Sequence, residues 1–102
     1  MPNVTHALAV IDQQLKELDA IAKDANATLN AVAGREQVMK WKTRTGDILT
    51  KQVSQQEAQD FSRTNPGPSF TNDLVDEFND EVDFYRTQLT AMRARVQKQA
   101  PG

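Results

Sequence analysis

Apolar residues recur along this chain at steps of three and four and nowhere alternate at period two, a pattern that predicts helices and no strands. Val4, Leu8, Ile11, Leu15, Leu18, Ala22, Ala25, Leu29 and Val32 form the first stripe. Asn3 or Thr5 is placed to cap its start, and Ala33-Gly34 to end it, since glycine suits the left-handed position after a helix. The pattern therefore predicts one helix of about 30 residues.

A second helical segment begins near Arg35 or Glu36 and carries Val38, Trp41, Thr45, Ile48, Leu49 and Val53 on a shorter, more polar stripe. Gly46 inside it costs roughly 1 kcal/mol relative to alanine and marks either a close helix contact or a weak point. Ser54-Gln55-Gln56-Glu57 has the form of a capping box, with Ser54 accepting from a main-chain N–H and Glu57 reaching back to the N–H of Ser54. A short helix is expected from there through Phe61. It stops before Arg63-Thr64-Asn65-Pro66-Gly67-Pro68-Ser69, where two prolines around a glycine break the pattern.

The last segment sets Val75, Phe78, Val82, Tyr85, Leu89, Met92 and Val96 at steps of three and four, with Thr71 or Asn72 available as cap. Its first turns are acidic (Asp73, Asp76, Glu77, Asp80, Glu81, Asp83) and its last are basic (Arg86, Arg93, Arg95, Lys98), which suits the helix dipole at both ends. Pro101-Gly102 is expected to close it. At ~1.5 Å per residue the two long helices come to roughly 42–45 Å each and the two middle pieces together to about 41 Å. The expected fold is an all-α, up-down-up bundle of two long helices and a middle helix broken at Ser54, in a single domain over residues 1–102. Its competitor is a four-helix arrangement with the small third helix folded across one end.

Composition narrows the function classes. Twelve Lys and Arg stand against 14 Asp and Glu, a net charge of −2, so no global basic excess holds nucleic acid or an anionic membrane. The chain has no cysteine, which removes disulfides, thiolate metal sites and thiol nucleophiles and makes the cytoplasm the simplest home. The first residues lack a basic stretch followed by an apolar run, and no segment has the ~18 apolar residues of a membrane span, so neither export signal nor anchor is expected.

Candidate chemistry is sparse. His6 is the only histidine, so a Ser-His-Asp triad or a multi-histidine metal site has nothing to build on. The acidic stretch from Asp73 to Asp83 repeats carboxylates on adjacent turns as a divalent-cation site does, but a solvated face matched to the helix dipole explains the same residues. No Gly-Lys-Ser or Gly-x-Gly loop for a phosphate occurs. No cofactor and no enzymatic activity are expected.

Arg35, Lys40, Lys42, Arg44 and Lys51 make the second helix locally basic around Trp41, which suggests a nucleic-acid surface with a stacking ring. Trp41 lies on the apolar stripe, however, and core burial is the reading preferred for it. The basic stretch also matches the acidic start of the last helix, within one chain or between two. On this ground Arg35, Lys40, Lys42, Arg44, Asp76, Asp80 and Asp83 are the candidate interaction residues.

The stretch Trp41-Lys42-Thr43-Arg44-Thr45-Gly46-Asp47-Ile48-Leu49, followed by Ser54 and Phe61, resembles helical regions beside effector domains in bacterial defence and signalling proteins. Tyr85 and Leu89 fit the same plan, whereas Gln52-Val53 stand where a glycine usually precedes the serine. The resemblance implies an accessory domain that positions or oligomerises a partner and carries over no catalytic residue. The expected function is thus a noncatalytic protein-interaction or oligomerisation module, with nucleic-acid binding through the second helix as the alternative.

Overall fold

The computed structural model describes residues 4–67 and 73–99, which form α1 (Val4–Thr28), α2 (Ala31–Gln52), α3 (Gln55–Arg63) and α4 (Leu74–Lys98). The all-helical bundle with two long helices and an interrupted middle stretch is as the pattern predicts. Polar cross-links give the directions. Asn26, Asp19 and Asp12 of α1 meet Asn79, Arg86 and Arg93 of α4 in turn, so these helices are antiparallel. His6 meets Gln52 and Gln14 meets Trp41, so α1 and α2 are antiparallel too. Both being antiparallel to α1, α2 and α4 are parallel, with Arg35 beside Glu77 and Glu81 and Trp41 beside Tyr85 further along.

The break at Ser54 reverses the chain. Ser54 is the N-cap of α3, its hydroxyl accepting from the N–H of Glu57 at 3.3 Å. From there α3 runs back along α2, with Gly46 beside Ser62 and Lys42 beside Asn65. The reciprocal half of the capping box does not form. The N–H of Ser54 donates to Leu49 O instead, and the Glu57 carboxylate takes both Nε and Nη2 of Arg95 at 2.9 Å. A bidentate charged pair across two helices wins over one local bond.

The first boundary also differs from the expected one. α1 ends at Thr28, not at Ala33, because Leu29 adopts φ 54° and the N–H of Asn30 bonds back to Ala25 O, closing a Schellman turn. Asn30 then caps α2 through its side-chain oxygen, which accepts from the N–H of Ala33 at 3.0 Å. Leu29 and Val32 thereby leave the buried stripe. Gly34 becomes a helix-interior contact: a β-carbon there would lie 2.8 Å from the Ala25 β-carbon and 3.0 Å from the Phe78 ring. Asp73 caps α4, its carboxylate accepting from the N–H groups of Val75 and Asp76, while Thr5 is helical. The other expected caps, Asn3, Thr71 and Asn72, and the closing Pro101-Gly102 lie outside the described residues.

The core gathers Ile11 and Leu18 of α1, Val38, Trp41 and Leu49 of α2, Phe61 of α3, and Phe78, Val82, Tyr85, Leu89 and Met92 of α4. The heptad-like stripes are therefore spent inside the chain, as the area driving force favours. Trp41 is fully buried at their centre, its ring 5.8 Å from Phe61 and 5.9 Å from Tyr85. No helix of the described residues is long and apolar enough to cross a membrane.

Candidate interaction surface

The basic stretch of α2 winds round the helix and meets two neighbours. Arg35 and Lys42, seven residues apart, share the side toward α4. The Arg35 guanidinium lies 3.5 Å from Glu77 and 3.6 Å from Glu81. Lys42 Nζ donates to Thr64 O at 3.1 Å and Asn65 Oδ1 at 2.9 Å, and sits 5.1 Å from the centre of the Tyr85 ring. It thus ties the C-cap of α3 to α2 with the charge that a helix C-terminus favours. Arg44 points the other way and pairs with Glu17 of α1 at 3.7 Å. Of these four residues only Lys40 has no hydrogen-bond or ion-pair partner among the described residues. They do not form one basic face, so the sequence argument for a nucleic-acid surface loses its geometry.

The match between α2 and the acidic start of α4 exists within the chain, but other carboxylates make it. Asp76 and Asp80 are exposed on the side of α4 away from the core. Asp83 pairs with Arg86, which also binds Asp19 of α1 at 2.6 Å. Glu77 and Glu81, one position further round the helix, are the ones that face Arg35. Helical angle decides this: the α2-facing side of α4 is one residue removed from the line through Asp76, Asp80 and Asp83. Among the described residues no group of three or more His, Asp and Glu side chains is placed to hold a metal ion.

Ionisable groups at this seam are perturbed. Burial pushes the Glu81 carboxyl above its ordinary range, opposed by Arg35, reinforced by Glu77 and opposed again by Lys42. Burial lowers the Lys42 ammonium, against the attraction of Glu81. These are the marks of a charged seam between packed helices.

The chain's outer surface offers a different feature. Among the described residues the large exposed hydrophobics are Leu29 (71 %), Val32 (63 %), Met39 (55 %) and Leu74 (54 %). Leu29 begins the α1–α2 turn, Val32 lies in the first turn of α2, and Leu74 opens α4. Because α2 and α4 run parallel with Arg35 level with Glu77 and Glu81, these residues sit toward the same end of the bundle. Val32 and Met39 line one shallow surface of α2 together with Arg35, Glu36 and Lys40.

Sequence reading missed this surface because it assigned Leu29 and Val32 to the buried stripe of α1. The signal was present in Asn30, whose side chain is among the preferred helix N-caps. Neither a family model, nor a curated protein, nor a solved structure matches the chain.

Proposed function

We propose that this chain is a noncatalytic protein-interaction module of the cytoplasm. The observation that carries the reading is the set of exposed apolar side chains Leu29, Val32, Met39 and Leu74, of which Val32 and Met39 line one surface of α2, left uncovered while the core stripes are internally satisfied. Exposed apolar side chains near charged ones are the ordinary makings of a contact with another protein. The resemblance of the Trp41-to-Phe61 stretch to accessory regions of bacterial defence and signalling proteins supports a domain that positions or oligomerises a partner.

The test is retrieval of partners by the immobilised full chain from a native lysate, with Val32→Asp and Met39→Asp as matched controls. A protein held by the native chain and released by both variants supports the reading. A chain that is strictly monomeric and retains nothing beyond what the variants retain overturns it.

A further inference from the structure

We propose that the outer face of α2 pairs with the same face of a second copy of this chain, the two helices antiparallel across a twofold axis at the level of residue 38. This rests on the interaction reading and names its partner. Val32 and Met39 are seven residues apart and so differ by only about 20° around the helix. Both are more than half exposed. Leu29, at the α1–α2 turn, is exposed as well. It occupies a left-handed conformation that costs a leucine about 1–2 kcal/mol and a glycine almost nothing, yet it remains 71 % exposed, so the chain itself gains no burial there.

The charges select a second copy. In a twofold antiparallel helix pair each flank of one helix meets the same flank of the other. A self-pairing surface must therefore carry both signs on one flank. Glu36 and Lys40 do so: they lie four residues apart on the flank away from α4, and among the described residues neither has an ion-pair partner. An axis at residue 38 sets Glu36 opposite Lys40 of the second copy and Lys40 opposite its Glu36. Met39 then meets Met39 at the centre. The other flank brings the two Arg35 side chains nearer each other, but each is already paired with Glu77 and Glu81 of its own α4, which blunts their repulsion.

A contact of a few helical turns is at the small end of specific interfaces, so association is expected from about 10 µM upward. The experiment is sedimentation equilibrium of the full chain from about 10 µM to 1 mM, compared with Met39→Glu, Glu36→Lys, Lys40→Glu and the double Glu36→Lys/Lys40→Glu. Circular dichroism confirms that each variant stays helical. The native chain is expected to rise from its monomer mass of 11.4 kDa toward twice that value. Met39→Glu and each single reversal are expected to weaken association about tenfold or more, and the double reversal to restore it. A constant monomer mass at 1 mM, a dimer indifferent to Met39→Glu, or a double reversal that stays as weak as the singles overturns the proposal. A monomer that still retrieves a partner sensitive to Met39→Asp removes the second copy and leaves the interaction module standing.

Discussion

The indole N–H of Trp41 donates to the main-chain carbonyl of Gln14, 3.0 Å away, from the opposite side of the α1–α2 interface. One α-turn along α2, Thr45 donates its hydroxyl to the Gln14 side-chain oxygen at 2.9 Å. Gln14 thus holds two residues of α2 in register with α1, in a core otherwise closed to water. A buried indole with a satisfied N–H contributes its large apolar area without a desolvation penalty.

The Gln14–Thr45 pair is expected to be strongly non-additive. Gln14→Leu alone leaves the Thr45 hydroxyl buried without its acceptor, and Thr45→Val alone leaves the Gln14 oxygen without its donor. Each is expected to cost about 1–3 kcal/mol. The double variant, with both groups apolar, should cost clearly less than the sum, by about 0.5–3 kcal/mol in a double-mutant cycle from urea unfolding. Additive losses would show that the two groups do not act as a pair.

Two helix-interior glycines should respond oppositely to alanine. At Gly34 the added methyl group meets Ala25 and Phe78, both fixed in the core, and overpacking of about 1–3 kcal/mol outweighs the ~1 kcal/mol gain in helix propensity. At Gly46 the close neighbour among the described residues is the Ser62 hydroxyl at 3.0 Å, the end of a short exposed side chain. Gly34→Ala is expected to lower the thermal midpoint and Gly46→Ala to leave it level or raise it. A raised midpoint for Gly34→Ala together with a lowered one for Gly46→Ala would reverse the two assignments.

Arg95 neutralises a Glu57 carboxylate whose side chain is only 12 % exposed. Hydrogen bonding to Glu57 is the main cause that holds the Arg95 guanidinium above its ordinary value. Arg95→Met strands the carboxylate, at an expected cost of about 1–3 kcal/mol, whereas Arg95→Met with Glu57→Gln should recover most of the loss. Unfolding by urea at pH 7 measures both.

Glu81 makes the fold sensitive to pH in a defined direction. Burial raises its carboxyl above the unfolded value of 4.5, so folding is penalised when the group is ionised. Below 4.5 it is protonated in both states and the penalty vanishes. The penalty is complete above the folded-state value, so this group's contribution to stability declines as pH rises. Glu81→Gln is therefore expected to be more stable than the native chain at pH 7, with the difference closing as pH falls toward 4.5. A difference that widens on acidification would show that the Arg35–Glu81 attraction dominates.

Much of this architecture is written locally. The three-and-four spacing of Phe78, Val82, Tyr85, Leu89, Met92 and Val96 needs only the helix period to define a buried face, and all six are buried. Ser54 as a cap and a break ahead of Pro66 follow from residues that act on main-chain groups nearby, although α3 runs on through Arg63, where the pattern predicted it to stop before that residue. Trp41 announces its burial in the same way, by its place on the apolar stripe.

Tertiary structure decided what depends on helices meeting. Gly34 has the chemistry of a helix terminator, yet the approach of Ala25 and Phe78 requires a residue without a side chain in the first turn of α2, and the terminator's place falls to a leucine. Glu57 has the spacing of a capping box, yet Arg95 from α4 offers a stronger partner. Arg35 finds Glu77 and Glu81 and not Asp76, Asp80 or Asp83, because the crossing of α2 and α4 selects one angular row of carboxylates from the acidic stretch. Sequence by itself determined the helices and their buried faces, since hydrophobic periodicity and caps act over one or two turns. Only the packed bundle decided which outer residues remained unpartnered, since that depends on angles and distances between segments far apart in the chain.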